Sequence, residues 1–316
     1  LTTANTRHIA RALDDFSIKC LQDDSVFVMG NALAPQKSVA KETDKYYVYS
    51  VDQQFRLYDT TRADKSPAKR VDYTDLTSSS YIMNEHAVSI AVSDRDRANA
   101  DPAVNPELDA IEEISGILLR ERENVIAKTF LTITAISVNA LSLTAGTGQY
   151  DVNTTTSTPI DDADTAKETI MKATGQMTNG VLMGESTKNI LARHADILDR
   201  VKWSERGIIT EDILATVLGV DKVYVAKGIY RSTSEGLSAT TSWMMDTRLV
   251  YFHNAPPKIK SANLGATFSG IFGDSRPRTK RWRDDEIDSD IIQLQWMYSV
   301  NVVQSLSGYL ISDAHS

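Results

Sequence analysis

The chain has 316 residues, 34 Lys or Arg against 42 Asp or Glu, and a formal net charge of −8. Hydrophobic residues make up 41% and charged residues 24%, a balance that excludes intrinsic disorder and allows a sizeable core in about two domains. An acidic chain argues against a dedicated nucleic-acid binder, whose affinity rests on a basic face, yet it is compatible with a protein that lives beside DNA.

The one cysteine, Cys20, excludes intrachain disulfides and an all-cysteine zinc site. The most apolar stretch, Phe130 to Ala145, is interrupted by Thr132, Thr134, Ser137, Asn139 and Ser142. It falls short of the roughly 18 apolar residues that a membrane span needs. No charged, apolar, small-residue pattern at the start reads as a secretory signal.

The first residues predict an amphipathic helix, with Ile9, Leu13, Phe16 and Cys20 on one side and Arg7, Arg11, Asp14, Asp15 and Lys19 on the other. Residues 22–45 are polar and read as an extended arm or linker. Aromatic and β-branched residues predict strands from Tyr46 to Tyr58 and, by alternation of His86, Val88, Ile90 and Val92, from Tyr81 to Val92. The long segment between them carries Arg62, Lys65, Lys69 and Arg70. A loop of that length has a job or is mobile, so 41–95 predicts a long projecting hairpin.

Asn105-Pro106 is a strong helix start, an Asn cap followed by Pro at the first helical position. Leu108, Ile111, Ile114, Leu118, Val125, Ile126 and Phe130 continue one apolar stripe to about residue 131. Such a helix is roughly 38 Å long, the span of a small domain. It is the mark of an extended scaffold.

From residue 161 the rhythm becomes α/β. Helices are predicted at Asp161 to Thr174, Thr187 to Val201 and from the cap Thr210 to Gly219. Strands are predicted at Gly180 to Gly184, Lys222 to Ile229, Ser242 to Phe252, Ile291 to Val303 and Gly308 to Ile311. A basic run (Arg276, Arg278, Lys280, Arg281, Arg283) precedes an acidic one (Asp284, Asp285, Glu286, Asp288, Asp290).

Catalytic motifs are absent. The pair Gly146 and Gly148 reads as a turn and not a phosphate loop, and the five histidines have no metal spacing. His194, beside Arg193 and Asp196, reads as a capping or surface residue within a helix; His86 reads as an ordinary sheet position. Asn153-Thr154-Thr155 fits a glycosylation acceptor without a secretory context. No enzyme, catalytic residue, metal or cofactor is expected.

The cations Arg62, Lys65, Lys69 and Arg70 suit a solvated or subunit-contacting tip better than a nucleic-acid site, because Asp59, Asp64, Asp72 and Asp75 neutralise them. Arg278, Arg281 and Arg283 followed by Asp284, Asp285 and Glu286 suit a complementary-charge contact between copies. A phosphate site with Trp282 as a stacking platform is the weaker reading. All ten residues are expected at contacts between subunits.

The order of these parts resembles the major capsid proteins of tailed bacteriophages, the Hong Kong 97-type fold. The local matches are GVLMGESTKNILARHADILDRVKW at 180–203, WMMDTRLVYFHNAPP at 243–257 and RWRDDEIDSDIIQLQWMYSVNVVQSLSGYLISDA at 281–314. The resemblance implies an α+β chain with an N-terminal arm (1–40), an extended β-hairpin loop (41–100), a peripheral domain (101–159, spine helix 106–131) and an α/β axial domain (160–266). Strands returning to the peripheral domain would occupy 267–316.

It also implies self-assembly as hexamers and pentamers into an icosahedral virion shell around double-stranded DNA, put together in the host cytoplasm. Portal, scaffold and decoration proteins would be partners, with no membrane. Some relatives join subunits covalently through a loop Lys, a neighbour's Asn and a Glu. Lys65 or Lys69 and Glu286 would serve, but 264–300 holds no Asn, so no cross-link is expected. An encapsulin-like compartment is the alternative, and a soluble α/β enzyme a distant third.

Overall fold

The computed structural model describes residues 26–316 except 50–54, 72–75, 101–104, 133–135, 137–138, 153–155, 203–207, 232, 234–235, 237, 239, 256–262 and 271–276. The amphipathic segment read from Ile9 to Cys20, Asn153-Thr154-Thr155 and Arg276 lie outside the described residues.

A short helix α1 (Met29–Leu33) leads into β1 (Gln36–Ser38). The antiparallel hairpin β2 (Thr43–Tyr49) and β3 (Leu76–Ile82) follows, with Thr43 opposite Ile82 and Tyr49 opposite Leu76. The strand expected from Tyr81 to Val92 is divided at Met83, and of the strand expected at 46–58 the described residues are extended to Tyr49 and outside any strand from Phe55 to Tyr58. Met83 is buried, its N–H donates to the Glu42 carbonyl, and it packs with Tyr81 and Phe268. The chain is pinned there, and β4 (Asn84–Ser93) turns away from the hairpin into a different sheet.

The Ser93 hydroxyl accepts from the Asp96 N–H and starts α2 (Asp94–Asn99). The long helix α3 (Pro106–Phe130) begins as its cap predicts: the Asn105 side chain accepts from the N–H groups of Glu107 and Leu108. After it come β5 (Ala140–Ser142), α4 (Pro159–Thr174), β6 (Gly180–Gly184), α5 (Glu185–Leu191), α6 (Ala195–Val201), α7 (Glu211–Leu218) and β7 (Lys222–Ala226). The helix read over 187–201 is two helices. His194 has extended backbone and caps the second by accepting from the Asp196 N–H. It is buried, so the capping role holds and the surface role does not.

The small hairpin β8 (Ile229–Arg231) and β9 (Thr241–Trp243), then β10 (Leu249–Phe252), β11 (Gly265–Ser269), β12 (Arg278–Asp284), β13 (Ser289–Val302) and β14 (Gly308–Ser312) complete the order. The strands expected at 222–229 and 242–252 are thus each interrupted.

Two five-stranded sheets result. In the first, β13 is the axis: β4 pairs along one side of it, while β12 and then β11 pair along the other, with β1 parallel to β11. The second runs β5-β14-β10-β6-β7. Its residues alternate between two cores, as the period of two demands. Val181, Met183, Leu249, Tyr251 and Ile311 meet α4 and α7, whereas Leu182, Val250 and Leu310 meet α1 and the end of α3.

The long helix ties the two sheets together. Its first half lays Ala110, Ile114 and Leu118 on Val92, Ile292 and Leu294 of the first sheet. Its last turns place Ile126 and Phe130 on the second. Both sheets draw strands from distant parts of the chain. The second takes β5 and β14 from outside 160–266, and the first takes β1 and β4 from the stretches read as arm and extended loop.

Candidate functional site

The described residues gather their chemistry-bearing groups in three places, and the first is a charge network at the start of α3. Arg281 makes a two-pronged pair with Glu107 at 2.8 and 2.9 Å and reaches Asp290 at 2.8 Å. Arg97 bridges the same two acids, at 2.9 Å to Glu107 and 2.7 Å to Asp290. Arg283 clamps Asp94 with two bonds of 2.7 Å. Hydrogen bonds from Arg281 and Arg97 hold the Asp290 carboxyl below its usual range, and Arg283 does the same for Asp94. Three arginines and three acids thereby fasten α2, α3, β12 and β13 within one subunit.

Two of the cations expected at subunit contacts, Arg281 and Arg283, therefore already have partners in their own chain. Arg278 and Lys280 are exposed on the outer strand β12. On the following turn the Asp284 side chain accepts from the Glu286 N–H at 3.1 Å, and Asp285, although paired to Arg283 at 3.3 Å, is 92% exposed. This turn presents net acid at its tip beside net base on its strand.

The second place is the loop of the β2–β3 hairpin. Arg62, Lys65, Lys69 and Arg70 are all exposed, with Lys69 lying 5.9 Å over the Tyr58 ring. Apolar side chains share this exposure: Leu57 is 97% exposed, and Tyr47, Phe55, Val71 and Ile82 are each more than half exposed. No hydrogen bond or ion pair among the described residues joins this loop to the β12–β13 turn, so the structure does not bring the two sets of expected contact residues together within a subunit.

The third place holds two serine–histidine pairs that pattern reading alone did not find, because their members are far apart in sequence. Ser157 Oγ lies 3.0 Å from His194 Nε2. His194 Nδ1 accepts a backbone N–H, so the ring proton sits on Nε2 and is donated to the serine. That direction is the reverse of what a general base requires, and Ser157 is buried. In the second pair, His315 Nε2 is 3.2 Å from Ser186 Oγ and 3.5 Å from Asp246. Ser186 donates directly to Asp246, so the acid and the serine share one ring nitrogen and no relay exists. Among the described residues no group of three His, Cys, Asp or Glu could hold a metal. No helix among them is long and apolar enough to cross a membrane.

No protein-family model matches the chain. Two curated relatives do. The major capsid protein of Burkholderia phage BcepMu is 25% identical over 224 residues, covering 71% of this chain and 70% of the relative. The major capsid protein of Pseudomonas phage JBD67 is 23% identical over 255 residues, 78% of each. Among solved structures, a phage-related protein from Bordetella bronchiseptica RB50 superposes with a TM-score of 0.70 at 21% identity, covering 93% of this chain and 94% of that one. A capsid of a native GTA particle gives 0.60 at 12% identity, covering 95% and 93%.

The fold is therefore that of the Hong Kong 97-type capsid proteins, an α+β architecture shared by phage shells. The chain's curated homologues are phage major capsid proteins.

Proposed function

We propose that this chain is the structural subunit of an icosahedral phage capsid, assembling as hexamers and pentamers into the shell of the virion around double-stranded DNA. The observation that carries this reading is homology to two phage major capsid proteins across most of both lengths, on a capsid fold. The physics agrees. A hairpin that exposes Leu57, Phe55 and Ile82 leaves apolar surface for a neighbour to cover. Many modest interfaces repeated around a closed shell give avidity without any one being strong. A capsid role is structural, and we infer that the chain is not an enzyme; both serine–histidine pairs support that by their geometry.

Arg62, Lys65, Lys69 and Arg70 on the hairpin loop would meet one neighbour. Arg278 and Lys280 would face the acidic turn Asp284, Asp285 and Glu286 of another, with Arg281 and Arg283 shaping the turn from within. The arm, extended loop, spine, axial and returning segments given above remain our division of the chain, and portal, scaffold and decoration proteins our expected partners. An encapsulin complex from Synechococcus elongatus PCC 7942 also superposes, with a TM-score of 0.52 at 10% identity over 99% of this chain and 95% of that one. That likeness is to the shared fold, and the curated relatives favour the phage shell.

Negative-stain electron microscopy with light scattering on the expressed protein tests the assignment. Closed shells, tubes or five- and six-membered rings are expected, with the diameter separating virus-sized particles from small compartments. A homogeneous small oligomer across assembly-permissive salt would sink it.

A further inference from the structure

The face of α3 that carries α1 continues uncovered toward the start of the helix. Ile111, Ser115, Leu119, Arg122, Ile126 and Phe130 follow one another in steps of three and four, so they share one face. Ile126 and Phe130 pack with Met29 and Leu33 of α1. Gly30 lies against Arg122, where an added Cβ would come within 2.8 to 2.9 Å of the guanidinium. The earlier half of the same face is open. Ile111 is 36% exposed, Ser115 and Leu119 are only partly buried, and a Cβ added at Gly116 would meet nothing within 4 Å. It is the opposite side, Ala110, Ile114 and Leu118, that lies on the first sheet.

The direction of α1 shows from where the chain reaches it. The Gly30 N–H donates to Glu123 Oε1 at 3.1 Å, whereas the Leu33 carbonyl and the Phe130 ring both border Gly265 of β11. Helix α1 therefore runs beside α3 in the same direction, and the chain ahead of it arrives from the level of the open half. That chain holds the segment from Ile9 to Cys20, which lies outside the described residues. Its apolar members Ile9, Leu13, Phe16 and Cys20 are spaced by the same steps of three and four. A helix this short is marginal in water and needs a surface to lie on.

We propose that Leu13–Cys20 docks as a helix, parallel to α3, on the open face of Ile111, Ser115, Gly116 and Leu119 of its own chain. The lengths match: Leu13 to Cys20 and Ile111 to Leu119 are each about 11 Å of helix. Leu13 then meets Ile111, the Phe16 ring enters the open space over Gly116, and Cys20 meets Leu119. Leu108, beyond the docked segment, stays free. From the level of Leu119 to that of Arg122 is about 5 Å along the axis. Residues 21–29, which span up to about 30 Å when extended, bridge that step with ease. Parallel docking also brings the basic start of the segment, Arg7 and Arg11, to the acidic start of α3, Asp109, Glu112 and Glu113. The contact belongs to one subunit and stands whether or not the chain builds a shell.

The chain's one cysteine is the probe. Leu119→Cys and, separately, Ile111→Cys are made in the full chain and oxidised mildly with diamide. Products are read on a non-reducing gel and by peptide mass mapping. The expected product is a disulfide within one chain between positions 20 and 119, formed roughly tenfold faster or more than one between 20 and 111. The register sets Cys20 about 12 Å along the axis from residue 111, and a disulfide needs Cα atoms within about 7 Å. Faster bonding to 111 would mean the opposite direction, a 20–119 bond between two chains would give the face to a neighbour, and no bond would leave it bare. Each of these overturns the proposal. Should Leu119→Cys not fold, maleimide labelling of Cys20 decides. It should be roughly tenfold slower or more in native wild type than in urea, and Ile111→Asp should restore most of the lost rate. Labelling that is fast in native wild type, or unmoved by Ile111→Asp, overturns the docking.

Discussion

Single residues in this chain do most of their work through pairing that is internal to the subunit. Glu123 on α3, 2% exposed with its carboxyl accepting from the Gly30 N–H, gives the clearest case, because its burial has a sign. Burial pushes its carboxyl up to about 7 from an ordinary 4.5, so the proton is held more tightly folded than unfolded, and ionisation carries a cost to stability that is absent below about pH 4.5 and fully felt above about 7. Wild type should therefore lose on the order of 3 kcal/mol relative to Glu123→Gln between those values, a difference that denaturant melts at pH 4.5 and 8 would measure. Arg122→Ala removes the cation that acts on this carboxyl, together with a guanidinium lying over the Trp296 ring, and should cost about 1–3 kcal/mol at pH 8. That loss should shrink in acid, where Glu123 is neutral, and an equal loss at both pH values would show that packing on Trp296 dominates.

At the scale of elements, α3 separates positions that hold the subunit together from positions free for a neighbour. Ile114 is fully buried between α3 and the first sheet, whereas Leu108, a turn and a half earlier, is 58% exposed. Ile114→Ala should lower the stability of the free subunit by about 2–5 kcal/mol, from lost burial plus a cavity. Leu108→Asp should change it by about 0.5 kcal/mol or less, as a surface substitution does. Thermal melts of unassembled protein would check both; a large loss with Leu108→Asp would place that side chain in the subunit's own core. Among the described residues the hairpin ladder spans Thr43–Tyr49 and Leu76–Ile82, and the loop with Arg62, Lys65, Lys69 and Arg70 is exposed.

For the whole molecule, the balance of charges predicts how copies recognise one another. Reversing Arg278 and Lys280 to Glu on the outer strand should leave the melting of the subunit nearly unchanged and sharply reduce shell yield by electron microscopy. Reversing Asp285 and Glu286 to Lys on the same chain should restore it, because the contact is between opposite blocks. Failure of that rescue would count against the turn as an interface. Leu57→Asp, at a side chain almost wholly exposed in the subunit, should likewise spare folding and impair assembly. Assembly unaffected by it would remove the hairpin tip from the interfaces.

Local chemistry was legible without the structure. The Asn105 cap, Pro106 and the apolar stripe place the long helix to within a residue, because capping and a 3.6-residue period are properties of adjacent residues. The left-handed Gly175 and Gly219 end α4 and α7 for the same reason. The division at Met83 was also written in the chain, as a change of phase: Tyr81 and Met83 face inward on odd numbers, and His86, Val88, Ile90 and Val92 on even ones. Alternation alone joined them into one strand, since periodicity does not say which sheet a strand enters.

Only the tertiary structure decided the rest. Which acids would neutralise Arg281 and Arg283, that residues 93 places apart would meet as Gly30 and Glu123, and that His194 would donate to Ser157 all depend on partners brought together by long-range strand pairing. Short-range patterns fix the form of each element and the net sign of each charge run. The choice of partner is set by the three-dimensional register of two sheets crossed by one helix, and that register appears in no local stretch of sequence.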